Sequence, residues 1–538
     1  MHSLGIYFTT MALTVDGRTH GWVLDANSMA VRRQRPFSSS TPVCPSPLSL
    51  SASVSAESPF PDVFQDVPRG KSSPIKKIIT NQKKTGPLSL TLEELSQVLG
   101  GKGRAQACWD CFRLGMDPLW FYHSSEEEAE DSVDMETKEP LDEVLATFLS
   151  TEYSTLPQIG WTRAQLQEQI KPRRQTQTLG HKTLYKYQRE FFPRQSTSTC
   201  TDTTTHDSSD SMSSIAKIVQ VHQSQDGTTK LLLELAKDKL QVECVILPWS
   251  DRKTSTLCVS NQVGCGQGCT FCSTGRMGEW RSLTADEILV QVYYAAKVCR
   301  LLSSSSLSHD NNNSKNVLYP LDAIVFMGMG EAARNVDNVV LATKALVDPH
   351  MYQLAPKRIT VSTVGPTPVS FSELSQAPAV LAWSVHASQD DVRKRLVPTT
   401  KHSMVELRDA LIAALVQRPK RMRQVMLELA LVGDINDRIE DAEHLVEFCQ
   451  AFYEKVPGVK LVVNLIPWND IAATSGPAAN YQKPTTERVL AFQKVMVENN
   501  ILCYCRTTRG DDESAACGQL ATMAKKAKES AANDDGIM

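Results

Sequence analysis

Residues 257–275 read LCVSNQVGCGQGCTFCSTG, which sets Cys265, Cys269 and Cys272 at C-x3-C-x2-C spacing. A closed structural metal site uses four protein ligands. Three thiolates leave one iron of a four-iron cluster without a protein ligand, and that iron can bind a cofactor and pass it one electron. Gly264, Gly266, Gly268 and Gly275 let the loop wrap close to an inorganic core and turn backbone N–H donors toward its sulfides. Two other readings of the spacing stay open: a zinc knuckle, and cysteines that only pack.

Downstream of this loop, strand and helix patterns alternate. LDAIVFM, RITVSTV, VLAWSVH, QVMLELALV, VKLVVNLI and ILCYCRT read as strands, with helical segments between them at 284–302, 404–416, 438–453 and 486–499. Thr284-Ala285-Asp286-Glu287 is a capping box. Repeated βα units predict a parallel sheet, open or closed into a barrel. Gly330-Glu331, Ser362, His386, Asn469 and Arg509 fall at or just after strand C-terminal ends, and a barrel gathers such ends around one mouth where βα enzymes place their chemistry. Upstream, AKIVQVH, TTKLLLELA and QVECVILP alternate as short strands about Asp226-Gly227. Residues 88–190 read as a small helical domain that begins LTLEELSQVLGG. Its Cys108 and Cys111 share one helix face and read as core.

The chain of 538 residues can hold two or three domains. No stretch reaches the roughly 18 uninterrupted apolar residues of a membrane span, so it reads as soluble, with no membrane partner. Its fourteen cysteines are spread widely without an apolar secretory signal, which favours a reducing compartment in which any disulfide is transient. Residues 26–56 hold no acid, many serines and Arg32, Arg33 and Arg35. This reads as a chloroplast or mitochondrial transit peptide, with a disordered tail on a cytoplasmic protein as the alternative. An acidic run lies between Glu126 and Glu139, and 195–214 and 303–315 are polar low-complexity inserts. A net charge of −3 exerts no overall pull on nucleic acid, so a polyanion would meet local basic patches. Two are present: Lys171, Arg173, Arg174, Lys182, Lys186, Arg189 and Arg194, and then Arg418, Lys420, Arg421 and Arg423. Each also reads as a solvated helix face.

The order of the motifs narrows the reading. Cys258 precedes the first cluster cysteine by seven residues, residues 327–331 read MGMGE, and residues 506–520 read RTTRGDDESAACGQL. With ECVILP, LAWSVHA and VNLIPWN, these resemble the RlmN/Cfr family of radical S-adenosylmethionine (SAM) RNA adenine methyltransferases, the RlmN branch more closely. The resemblance spans roughly residues 85–525. It implies an α/β fold: a partial (β/α)6 radical SAM barrel at 251–525, preceded by a helical RNA-binding domain with an acidic insert at 85–194, a linker at 195–214 and a β-rich connector at 215–250. Residues 1–84 and 526–538 are tails in this scheme, the first of them the transit peptide if there is one.

The same resemblance implies a [4Fe-4S] cluster on Cys265, Cys269 and Cys272, and SAM held through Gly330, Glu331, Ser362, Ser384, Val385, His386 and Asn469. After the glutamate the family commonly has a proline and a leucine pair, where this chain has Ala332-Ala333-Arg334. Carbon 2 of adenine is an electrophilic amidine carbon that cannot attack a methyl sulfonium, so a nucleophile must first collect the methyl, and a thiolate suits that task. Cys517 matches the family's methyl-carrying cysteine, Cys258 its resolving cysteine and Glu243 its proton acceptor. A radical made from a second SAM then takes hydrogen from the S-methyl group, and the adduct with RNA is released as a Cys258–Cys517 disulfide. The implied partners are large-subunit rRNA, tRNA near the anticodon, and an electron donor such as flavodoxin or ferredoxin, with a monomeric enzyme. The rivals are carbon 8 methylation, as in the Cfr branch, a radical SAM enzyme acting on protein, and a zinc-bound RNA-binding module without catalysis.

Overall fold

The computed structural model describes residues 86–122, 136, 138–153, 161–170, 179, 181–192, 211–303 and 317–522. The expected transit segment, most of the acidic run and of the two polar inserts, and Lys171, Arg173, Arg174 and Arg194 lie outside the described residues.

Six helices open the described chain: α1 (Leu92–Leu99), α2 (Lys102–Arg113), α3 (Pro118–Tyr122), α4 (Glu143–Glu152), α5 (Arg163–Ile170) and α6 (His181–Phe191). The helical period of LTLEELSQVLGG breaks where Gly100 takes a left-handed C-cap, so α1 and α2 are separate helices. Cys108 and Cys111 are fully buried in the core of this bundle. The bundle is tied to the catalytic part by Asp286. Its buried carboxylate accepts the backbone N–H groups of Gly86, Leu88 and Ser89, at 3.0–3.1 Å, and the Ser89 hydroxyl at 2.7 Å.

One ten-stranded sheet organises the rest. Strands β1 (Ala216–Gln223), β2 (Thr229–Leu235) and β3 (Gln241–Trp249) form an antiparallel meander that continues into β4 (Thr254–Cys258). The hairpin of β5 (Gln262–Cys265) and β6 (Gly278–Ser282) stands apart and frames the cysteine loop. Then β7 (Leu321–Phe326), β8 (Ile359–Thr363), β9 (Val380–Ser384), β10 (Gln424–Leu431), β11 (Lys460–Pro467) and β12 (Leu502–Cys505) extend β4 in parallel, in chain order. These six are the strands read from the sequence. The parallel set nonetheless has a seventh member, β4, which the sequence reading did not assign as a strand and which leads into the cysteine loop.

Helices α7 (Ser273–Arg276), α8 (Ala285–Leu301), α9 (Val336–Val347), α10 (Pro368–Leu374), α11 (Asp390–Leu396), α12 (Met404–Gln417), α13 (Ile439–Lys455) and α14 (Thr486–Glu498) fill the connections. Both bonds of the Thr284/Glu287 capping box form at the start of α8. The parallel strands are rich in apolar residues, and the polar ones among them include Ser362, Ser384, Glu428 and Asn464. No helix among the described residues is long and apolar enough to cross a membrane.

The sheet curls. After β12 the chain turns back, and Arg509 donates to the Asp226 carboxylate at 3.1 Å and the Asp226 carbonyl at 2.9 Å, with its guanidinium over the Trp249 ring. Asp512 accepts from the Ser224 hydroxyl and from the Gln225 N–H. Residues 506–522 therefore join the β12 edge to the β1–β3 end and close the open side of a partial barrel.

Candidate active site

The cysteine loop leaves the C-terminal end of β4 and is pinned from three sides. Ser260 donates from its hydroxyl to the Glu243 carbonyl at 2.6 Å and accepts the Met329 N–H at 2.8 Å. Thr270 donates its N–H to the Leu396 carbonyl at 3.0 Å, and the Trp468 indole donates to the Phe271 carbonyl at 3.2 Å. Beneath the loop, Cys269, Phe271, Leu396, Val397, Ala430, Val432 and Trp468 form a small core of their own. Burial of a side chain such as Phe271 stabilises the loop by roughly 2 kcal/mol. Gly275 is required here, since a Cβ would lie 2.9 Å from the Cys269 nitrogen.

Burial raises the thiol pKa of Cys265, Cys269 and Cys272, and for Cys269 the neighbouring Cys272 and Cys265 charges add to the rise. A positively charged metal core is what turns such a set into thiolates. No three His, Cys, Asp or Glu side chains among the described residues converge as they would around one ion. A four-iron core is larger and takes each thiolate on a different iron, so the three-thiol loop fits it in number and chemistry.

The expected SAM residues line the same end of the barrel. Gly330 has φ +107°, and a Cβ there would meet Gln262 at 2.6 Å, so only glycine lets this strand edge pass. The Glu331 carboxylate is spent on structure: it accepts from Thr363 Oγ1, from the Val364 N–H at 2.9 Å and from the Ala333 N–H at 2.9 Å. The last bond caps the short turn Ala332–Arg334, so the departure from the family's proline leaves the Gly330-Glu331 backbone held. Ser362 and Ser384 hydroxyls are 3.2 Å apart. His386 sits at φ +55°, a strained position for a non-glycine residue. Its Nδ1 accepts the Ala430 N–H at 3.0 Å, which places the proton of the neutral ring on Nε2. Burial, and then Arg393, holds that ring well below the ordinary histidine pKa. Asn469 is engaged with the C-terminal segment, donating to the Cys517 carbonyl at 3.1 Å and accepting from Thr508 at 2.8 Å.

The proposed nucleophiles approach this wall from an interior strand of the sheet and from the segment that follows its last strand. Cys258 ends β4 and Cys517 lies on the closing segment. The Cys258 thiol feels the Cys517 charge, and both thiols feel the same Arg506 guanidinium. Burial pushes Cys258 up to about 12 and Arg506 pulls it back, whereas Cys517 is exposed at the surface beside the same guanidinium. Both cysteines are free thiols here. Glu243 on β3 is buried, 3.3 Å from Lys230 Nζ, and accepts the Ala521 N–H at 2.8 Å. Burial raises its carboxyl pKa, and the Lys230 charge opposes that rise.

Three contributors were not legible in the sequence. Arg393 is fully buried and donates to the carbonyls of Ser384, Val385 and Val364, fixing the Ser384-Val385-His386 turn. Glu428 and Arg506 face each other across the barrel at 3.6 Å. For Glu428 a signal existed, a lone carboxylate inside the apolar run VMLELALV.

Two arginines of the second basic patch are spent on structure, while Lys420 and Arg421 are exposed. Arg418 donates to the carbonyls of Ala377 and Ala379 at 2.7 and 2.6 Å, and Arg423 to those of Arg418, Val416 and Pro457. They close loops at the start of β10, the end of the barrel away from the site. Of the first patch, Lys182, Lys186 and Arg189 lie on α6. A surface depression of about 440 Å³ lined by Ser224, Gln225, Asp226, Thr508, Gly510, Asp511 and Asp512 adjoins the closing segment rather than the cysteine loop.

Comparison with family models returns no match. Among curated proteins, the chain is 36% identical over 332 residues to the dual-specificity RNA methyltransferase RlmN of Psychrobacter arcticus, covering 60% of this chain and 76% of that protein. It is 39% identical over 308 residues to the protein of the same name from Stenotrophomonas maltophilia, covering 57% and 72%. The crystal structure of a radical SAM methyltransferase from Sphaerobacter thermophilus superimposes with a TM-score of 0.54 at 27% identity, covering 81% of this chain and 99% of that one.

Proposed function

The chain belongs to the RlmN family of radical SAM RNA methyltransferases, and from that membership we propose that it methylates carbon 2 of an adenosine in large-subunit rRNA, and in tRNA as a second substrate, through a methylated Cys517. One observation supports this above the others: the segment bearing Cys517 is bonded to the cysteine loop, through Ser273 N–H to the Gly518 carbonyl at 2.7 Å and Thr274 Oγ1 to the Leu520 carbonyl at 2.6 Å. A thiol held there stands beside both the cluster ligands and Cys258.

A bound [4Fe-4S] cluster with SAM would supply the methyl group and one-electron chemistry, fed by a donor such as flavodoxin or ferredoxin. Cys265, Cys269 and Cys272 would hold the cluster, and Gly330, Glu331, Ser362, Ser384, Val385, His386 and Asn469 would line the SAM site. The chain's own residues account for the remaining steps. Cys517 Sγ gives up its proton and takes the methyl. Once the methyl carbon is bonded to adenine, Glu243 accepts the proton displaced from carbon 2. Cys258 thiolate then attacks Cys517 Sγ, forming the S–S bond as the S–C bond to the base breaks, and the carbon released with that electron pair takes a proton from solvent to become the methyl group. The composition of residues 26–56 supports an organellar site of action.

Nucleoside mass spectrometry of organellar and cytosolic RNA after gene disruption tests this reading. Loss of 2-methyladenosine is the expected result. Loss of 8-methyladenosine in its place would move the protein to the Cfr activity.

A further inference from the structure

The inner wall of the barrel holds a carboxylate that the steps above do not use. Strand register pairs Glu428 of β10 with Ser384 of β9 on one side and with Asn464 of β11 on the other. The side chain therefore stands in the row of positions that faces the SAM site. Glu428 is 4% exposed. Its Oε2 accepts the Ser362 hydroxyl at 3.3 Å and the Asn464 side chain also stabilises the carboxylate, while the buried Oε1 accepts no hydrogen bond within 3.5 Å. Arg506 Nη1 is 3.6 Å from Oε1, which compensates charge without making a hydrogen bond.

A buried carboxylate oxygen without a donor is expensive and is normally satisfied by a partner. Here that partner would come from the cavity. An anionic group would be repelled, and a cation is already supplied by Arg506. The chemistry that fits is a neutral pair of hydroxyl donors, and a carboxylate is how nucleotide sites elsewhere hold a ribose diol.

We propose that Glu428 is a cofactor-binding residue whose carboxylate receives the ribose hydroxyls of SAM, with Ser362 orienting one oxygen and Arg506 balancing the charge. The proposal rests on the reading that SAM occupies this barrel. It adds a wall position on β10 to those on or just after β7, β8, β9 and β11.

The test uses the full chain, reconstituted anaerobically with iron and sulfide, and measures equilibrium binding of SAM and of its 2′,3′-dideoxyribose analogue. Iron content and visible absorption report that each variant is loaded. Wild type should bind the analogue roughly tenfold to hundredfold more weakly than SAM, the worth of hydrogen bonds to a charged acceptor. Glu428→Gln should bind SAM weakly by a similar factor and discriminate little between the two. Should Glu428→Gln fail to load iron, Glu428→Asp, which draws the carboxylate back by one methylene, makes the same comparison and should lose part of the discrimination. A variant that binds SAM like wild type, or that discriminates undiminished, overturns the proposal, as does a wild type indifferent to the ribose hydroxyls. A loaded wild type that binds no SAM at all would instead defeat the proposed function.

Discussion

Ser273, the residue after Cys272, donates its backbone N–H to the carbonyl of Gly518, the residue after Cys517, at 2.7 Å. The two segments to which radical generation and methyl carriage are proposed to belong are thereby fastened by main-chain atoms, which no side-chain substitution removes. Cys258 approaches the same point from β4, so the order in which the two thiols act can be read out separately.

Cys517→Ala should form neither a methylated protein nor an RNA adduct. Cys258→Ala should take the methyl, react once and remain joined to RNA by a thioether that resists reductant. Denaturing electrophoresis of Cys258→Ala with and without ribonuclease should show a nuclease-sensitive shifted band. The same band in Cys517→Ala would contradict the assigned roles.

Replacing any one of Cys265, Cys269 or Cys272 with alanine should remove the cluster, since three ligands already leave one iron unheld. Iron content after anaerobic reconstitution should fall together with SAM cleavage. Full iron loading in any single variant would show that this cysteine is not a ligand.

Glu243 must be ionised to accept a proton, and burial raises its pKa above the ordinary carboxylate value. Activity should therefore fall as pH drops through that raised pKa, with the acid limb at higher pH than an exposed glutamate would give. Lys230 opposes the rise, so Lys230→Met should move the limb further up, and Glu243→Gln should slow turnover by about a hundredfold or more. Single-turnover rates across pH check this; a limb unmoved in Lys230→Met would remove Glu243 from the step.

Asp286→Ala should leave the N–H groups of Gly86, Leu88 and Ser89 buried without an acceptor. The expected loss is on the order of 3 kcal/mol, read as a lower denaturant midpoint, with Asp286→Asn recovering part of it. An unchanged midpoint would mean that water satisfies these groups and that the helical bundle docks through its other contacts, such as Arg300 to the Leu114 and Gly115 carbonyls.

The sequence by itself determined what depends on near neighbours. The cysteine loop, the strands β7 to β12 and the capped start of α8 are written in contiguous spacing, apolar runs and a four-residue box, since each is stabilised by groups a few positions apart. Only the tertiary structure decided what depends on the curl of the sheet. Thr274 and Leu520 meet across 246 positions and Glu243 and Ala521 across 278, with no local pattern to announce either pairing. Arg418 looks in sequence like part of a surface patch and is instead buried against two carbonyls, because a long cationic side chain satisfies either role and only packing selects one. The clearest case is Glu428: the run around it announced a buried strand, but which cavity its carboxylate enters was set by the register of β9, β10 and β11, and register is a property of the assembled sheet.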